Sequence, residues 1–199
     1  MQKSNVYNYD ISTQVEALQQ IIKQSPALSE ILQKSRALNI ENYYIGAGCI
    51  AQTVWNYITG LPLDYGISDI DFAYFDTNME STAENAVILK MNDSVSDLSI
   101  SIDVKNQARV HLWYENHFGY KIEPYNSLED AINTWPTTAT SIGVRLDEDG
   151  RFSVYAPYGL NDLFGMIVRA NKTQITEKIY NQKVAKWIAK WPDLTIIPW

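Results

Sequence analysis

The sequence predicts an α+β (α/β) fold, a small β-sheet flanked by helices, organised as one domain over residues 1–199. Three observations point there: helical periodicity over residues 12–38, a β-prone run that breaks on Gly46-Ala47-Gly48 into a second helical run, and two further β-prone runs around residues 69–75 and 98–104. A chain of 199 residues with 46% hydrophobic composition is long enough to bury a sizeable core.

The elements follow in order. Val15, Leu18, Ile21 and Ile22, then Leu28, Ile31, Leu32 and Leu38, recur at three-to-four spacing with Pro26 between them. This predicts two short helices, or one helix broken at Ser25-Pro26. Tyr43-Tyr44-Ile45 reads as a strand, and Ile50, Val54, Trp55 and Ile58 as a helix ending at Gly60. Asp69 to Phe75 is a strand rich in aromatic and β-branched residues. Ser81 to Glu84 has the form of a capping box opening a helix through Met91, and Leu98 to Val104 is the next strand. Ser127 to Trp135 reads as a short helix. Asp149-Gly150 turns a hairpin between 141–146 and 152–155, and Gly159–Val168 and Thr176–Trp191 read as helices. In the last of these, Ile179, Val184, Trp187, Ile188 and Trp191 form the apolar face. The C-terminal Trp-Pro-Asp-Leu-Thr-Ile-Ile-Pro-Trp is apolar enough to dock on the body of the domain. The core is expected over about 12–115, with 116–199 packed on it.

Composition excludes several classes. One cysteine rules out an internal disulfide framework and a Cys-rich zinc site, and two histidines leave little for a His-based metal centre. Cys49 is expected to be a reduced packing residue. The start is polar, and no apolar stretch is long enough to span a membrane, so a cytoplasmic protein is expected. The formal charge of −7 is concentrated: between Asp64 and Asp103 nine acids face a single base, Lys90, and the rest of the chain is close to neutral. Such a balance argues against a long nucleic-acid partner, which needs Lys and Arg at its phosphates.

Strand parity turns part of this charge into chemistry. Asp69 and Asp71 are two apart and share one strand face, opposite Ile70, Phe72 and Tyr74. In the later strand Asp103 lies opposite Ile100, Ile102 and Val104. If the two strands are neighbours with their apolar faces on one core, three carboxylates converge, and a divalent cation is the simplest offset to their repulsion. The competing reading is a solvated acidic face. The glycine turn upstream favours a site, because small residues admit a ligand close to the backbone and a helix N-terminus attracts phosphate. If residues 108–113 form a strand, Arg109 and His111 share a face and Arg109 is placed to clamp a phosphate. The plainer reading is a surface arginine and a hydrogen-bonded structural histidine.

The succession Tyr44-Ile45-Gly46-Ala47-Gly48, Asp69-Ile70-Asp71-Phe72 and Ser101-Ile102-Asp103-Val104 resembles the polymerase-beta-like nucleotidyltransferase superfamily. More closely, residues 54–57, 69–76, 102–114, 135–140, 155–164 and the late Trp-Pro-Asp-Leu resemble a bacterial family of stand-alone nucleotidyltransferase-like proteins. The resemblance implies a nucleotidyltransferase fold with a mixed sheet and a family-specific C-terminal extension. It implies that Asp69 and Asp71 hold the metal ions, Mg²⁺ or Mn²⁺, that bridge a triphosphate. Asp103 would bind the catalytic metal and help activate the acceptor hydroxyl, and Gly46 and Gly48 would cradle phosphates. The sequence departs from the superfamily pattern in having Gly48-Cys49 where a serine often follows the glycines, and Ala51-Gln52 where some branches carry Arg-Asp.

The expected activity is transfer of a nucleoside monophosphate from an NTP to a hydroxyl of a small acceptor, a cationic one fitting the acidic side, with release of pyrophosphate. The rival is a non-catalytic nucleotide- or metal-binding module that retains the fold. A glycosyltransferase using Asp-x-Asp fits poorly, because those enzymes place a larger nucleotide-binding fold before the motif.

Overall fold

The computed structural model describes residues 5–199. Helices α1 (Ile11–Gln24) and α2 (Pro26–Ala37) are separated by Ser25, whose hydroxyl caps α2 while Pro26 occupies its first turn. Asp10 caps α1 by accepting the N–H of Thr13 at 3.0 Å. Strand β1 (Tyr43–Gly46) leads into α3 (Gly48–Thr59), which ends on Gly60 at φ +76°. Strand β2 (Asp69–Tyr74), helix α4 (Ser81–Ser94), strand β3 (Ser101–Asn106) and helix α5 (Val110–Phe118) follow. The second half contains α6 (Leu128–Ile132), β4 (Gly143–Leu146), β5 (Phe152–Tyr155), α7 (Asn161–Phe164), β6 (Ile167–Val168), α8 (Glu177–Ile188) and β7 (Thr195–Ile196).

The main sheet is mixed, with strand order β3-β2-β1-β4-β5. Only β2 and β3 run parallel; the remaining pairs are antiparallel. The hairpin β4–β5 supplies two of the five strands, so the sheet is not confined to residues 12–115. Alternation sorts the faces. Tyr43, Ile45, Ile70, Phe72, Tyr74 and Val104 pack with α1, α2 and α3 in the principal core, while Tyr44 and Ala73 meet Leu128 and Ile132 of α6 on the other face. Asp69 and Asp71 share that second face with Ala73.

Four expectations are corrected. Helix α4 starts at Ser81 itself, so its cap is Glu80, without a side-chain cap bond. The carboxylate of Glu84 is spent on the backbone N–H of Asn106 at 2.9 Å and on Arg109 at 3.1 Å, and no capping box forms. Residues 108–113 are not a strand, because the Asn106 side chain accepts the N–H of Ala108 and turns the chain through a 3₁₀ turn, Gln107–Arg109, into α5. Residues 159–168 form only the single turn α7. Gly159 and Met166 adopt positive φ on either side of it, and Ile167–Val168 becomes a strand paired with β7. In α8 the side chain sealed in the core is Tyr180, within 2.9 Å of the Val168 carbonyl and 2.6 Å of that of Ile197, whereas Ile188 is exposed. No described helix is long and apolar enough to cross a membrane.

The C-terminal segment docks through one buried polar hub. Asn56 accepts the Trp191 indole N–H at 2.7 Å and donates to the carbonyls of Leu63 at 3.1 Å and Tyr65 at 2.9 Å. Trp191 stacks edge-on against Trp55, with ring centroids 5.6 Å apart. Asn56 thereby fixes both the C-terminal segment and the loop that delivers Asp69. Asn56→Ala strands one donor and two acceptors in the interior, so a loss of about 2–4 kcal/mol is expected. The urea midpoint should fall with little change in slope.

Candidate active site

A cavity of about 850 Å³ opens on the second face of the sheet, where the first residues of β2 lie beside the turn into α3. Its walls include Ala47, Gly48 and Cys49 from the β1–α3 turn, Asp69 and Asp71 from β2, and Asp103 and Lys105 from β3. Trp113, Tyr114 and His117 from α5, Trp135 from the segment after α6, and Lys183 and Trp187 from α8 complete it.

The three predicted acids meet because of one register. Parallel pairing sets Asp71 beside Asp103, as it sets Asp69 beside Ser101. Neighbours in register point to the same face, and the i, i+2 relation brings Asp69 along. Asp71 is largely withdrawn from water and faces two like charges. Burial first, then Asp69 and Asp103, push its pKa up to about 7, against the opposing pull of Lys105 and Lys183. The ammonium of Lys105, two residues on and on the same face, pairs with both oxygens of Asp103.

The turn beside the acids, where Gly46 is registered against Asp71, is tightly constrained. Ala47 sits at φ 56°, ψ −131°, a region that non-glycine residues rarely occupy and that costs about 1–3 kcal/mol. Its N–H donates to the Ile142 carbonyl at 3.0 Å, and a Cβ on Gly46 would lie 2.4 Å from that same oxygen. Gly46 is therefore a close-packing residue under Ile142 and Trp135, and is not on the cavity wall. Gly48 is on the wall, and its nearest neighbour to an added Cβ is the flexible end of Gln52. It opens the 12-residue α3 with no side-chain cap, so the partial positive charge of that terminus faces the cavity. Cys49 is buried and free, and its thiol donates to the Gly46 carbonyl at 3.0 Å. Burial and the nearby Asp71 and Asp69 raise its pKa far above the ordinary thiol range, which leaves it a neutral packing group.

Arg109, expected to clamp a phosphate, lies elsewhere. Its guanidinium pairs with Glu84 and donates to the Met79 carbonyl at 2.9 Å, and it does not line the cavity. His111 is likewise off the wall, and its helical neighbour His117 is on it. Of the nine acids between Asp64 and Asp103, only Asp69, Asp71 and Asp103 reach the cavity. Glu84 serves Arg109, and Asp97 pairs with Lys34.

The sequence reading missed Lys183. Its signal was a lysine at i+4 from Ile179 and four before Trp187, on the face these two apolar residues define. In sequence Trp113, Tyr114, Trp187 and Trp191 read as a base-stacking surface or, more simply, as core. Trp113, Tyr114 and Trp187 line the cavity, in a wall assembled from α5, α8 and residues 125–136, whereas Trp191 is core.

The donor set is suited to a hard cation. Among the described residues no three His, Cys, Asp or Glu side chains are gathered as one ion's ligands. Mg²⁺ typically takes one or two carboxylates and completes its shell with phosphate and water, and Asp71 with Asp69 or Asp103 meets that need. The raised pKa of Asp71 marks a cluster short of positive charge.

A sequence model of a family described as nucleotidyltransferase matches residues 33–196. No curated protein matches the sequence. Among solved structures, one described as an NMR structure that reveals a CCA-adding enzyme head domain is similar with a TM-score of 0.76. It is 24% identical, over 92% of this chain and 96% of that one. At that identity the likeness is one of fold.

Asp71 gives a pH dependence with a definite sign. Its folded pKa, about 7, is above the ordinary 3.8, so the folded state holds an extra proton between those values. The stabilisation this proton brings is full below about pH 4 and is lost as pH rises through about 7. In chelator, urea midpoints of Asp71→Asn are expected to gain on the parent as pH rises across that window. Parallel profiles for the two proteins would show that Asp71 titrates normally.

Proposed function

The chain belongs to the nucleotidyltransferase family, and we propose that it transfers a nucleoside monophosphate from an NTP to a hydroxyl of a small acceptor. The observation that supports this most is the placement of Asp69, Asp71 and Asp103 on the wall of one cavity with the uncapped start of α3. Asp71, with Asp69, would hold one Mg²⁺ or Mn²⁺ against the phosphates, and Asp71 with Asp103 would hold a second, catalytic ion on the acceptor side. When bound, the ions supply charge neutralisation at the phosphates. The N–H groups at Gly48 and Cys49 would receive phosphate oxygens along the helix axis. Asp103 would orient the acceptor hydroxyl and take its proton as the oxygen bonds to the α-phosphorus and the bond to pyrophosphate breaks. Catalysis on this reading rests on positioning and charge, and the one cysteine, a buried neutral thiol, takes no part as a nucleophile.

The cavity also revises the expected acceptor. Among the described residues its carboxylates are the three assigned to metal, which leaves no further acid there for a cationic molecule. Trp113, Trp135 and Trp187, with the amides of Gln52, Gln107 and Gln174, present flat apolar faces and neutral hydrogen-bonding groups. An uncharged, hydroxyl-bearing molecule able to stack suits that wall. One observation favours the rival, a binding module without turnover: Lys105 already engages both oxygens of Asp103.

Two measurements test the proposal. Millimolar Mn²⁺ should raise the melting temperature of the parent and leave that of Asp71→Asn unchanged, since a ligand stabilises the state that binds it. With each of the four NTPs and a pool of hydroxyl acceptors, the parent should release pyrophosphate. Asn at Asp69 or Asp71 should weaken nucleotide binding as well as turnover, whereas Asp103→Asn should keep nucleotide affinity within a few-fold and lower kcat about a hundredfold or more. Nucleotide binding without pyrophosphate would select the rival, and no binding at millimolar NTP would end both.

A further inference from the structure

Lys183 is distinguished by a missing partner. It lies half-buried on α8, on the cavity wall with Asp69 and Asp71. Among the described residues its ammonium makes no hydrogen bond and no ion pair within 4.0 Å. Its nearest recorded ring contact is Trp187, whose centroid is 5.9 Å away. Burial and Lys186 weigh against its charge, while Asp71 and Asp69 favour it from beyond contact distance. Lys105, the other ammonium on this wall, is already engaged by Asp103. A cation that has given up water and gained only a distant ring and no contacting anion is a weak structural element, and it becomes favourable when a ligand supplies an anion.

The start of α3, on the same wall, lacks what Lys183 has. Gly48-Cys49 and Ala51-Gln52 offer no hydroxyl and no cation, so the donors there are backbone N–H groups and the neutral amide of Gln52. A triphosphate is strongly anionic, and a helix terminus alone binds it weakly.

We propose that Lys183 is the phosphate-binding cation of this site, engaging the triphosphate chain from α8 while the α3 terminus engages it through its N–H groups. The assignment rests on the nucleotidyltransferase reading for its ligand, and it places a substrate-binding residue in the C-terminal extension.

The test uses the full chain and inorganic tripolyphosphate with Mg²⁺, titrated by calorimetry, with intrinsic tryptophan fluorescence, to which the wall residues Trp113, Trp135 and Trp187 contribute, as a second readout. Lys183→Met should weaken tripolyphosphate and NTP binding about tenfold or more, the scale of one charge-assisted hydrogen bond, and Lys183→Arg should stay within a few-fold of the parent. In turnover the NTP KM of Lys183→Met should rise by a similar factor with kcat within a few-fold. The melting temperature should hold or rise, because an unpaired half-buried charge has gone. Equal tripolyphosphate affinity in Lys183→Met and the parent, with binding lost in Asp71→Asn, overturns the assignment and leaves the nucleotidyltransferase reading intact. A binding loss in Lys183→Met in a parent that releases no pyrophosphate does the reverse. A fall in melting temperature in both Lys183→Met and Lys183→Gln marks the lysine as a structural counter-charge and overturns the assignment, as does a parent that binds no tripolyphosphate at millimolar concentration.

Discussion

The parallel register that seats Asp71 beside Asp103 is the constraint to which the rest of the site answers. Two unit charges about 4 Å apart at an effective dielectric near 20 repel by roughly 4 kcal/mol, and a third carboxylate two residues upstream adds to the load. The surrounding features each relieve some of it. Asp71 keeps its proton to about pH 7, Lys105 covers Asp103, Lys183 stands within electrostatic reach, and the positive end of α3 is aimed at the same space. Once Asp71 ionises, above about pH 7, the repulsion returns, and among the described residues no anchored cation contacts Asp71 to cancel it. A site left short of positive charge in this way is prepared for a cation and for the phosphates that accompany one.

Holding like charges together requires a stiff frame. Ile142 takes the N–H of Ala47 and closes over the α-carbon of Gly46, which keeps the β1–α3 turn in a conformation that alanine would not choose. At the far end of β3, Asn106 donates to the Asp76 carbonyl at 2.8 Å and accepts the Asp76 N–H at 3.0 Å, while Glu84 takes the Asn106 N–H and pairs with Arg109. These contacts lock β3 to the loop leaving β2. The Asn56 hub fixes the loop entering β2, so the strand bearing Asp69 and Asp71 is anchored at both ends.

The acidity of the chain also acquires a different meaning in three dimensions. Along the sequence, residues 64–103 look like a single negative tract. In the fold only three of those carboxylates enter the cavity, and the others face solvent or, like Glu84 and Asp97, hold structural partners. Aromatic rings and neutral amides make up much of the rest of the wall, so the negative potential belongs to the metal end and the far end is suited to stacking.

The sequence by itself determined the elements whose signals are local. Periodicities of 3.6 and 2, the break at Pro26, the cap at Ser127, the Asp-Gly hairpin turn and the parity that groups Asp69 with Asp71 all depend on residues a few positions apart. It failed where a side chain bonds far away in sequence. Glu84 reads as a capping-box acid until Asn106 and Arg109 claim it, Arg109 reads as a phosphate clamp until Asn106 bends its strand into a helix, and Gly46 reads as a phosphate cradle until Ile142 and Trp135 fill the space above it. Lys183 was illegible for the same reason. Its spacing with Ile179 and Trp187 is ordinary for a helix, and only the tertiary fold puts this face of α8 on one cavity wall with Asp69 and Asp71. Local stereochemistry sets which way a residue faces on its own element, and long-range packing alone decides what it meets there.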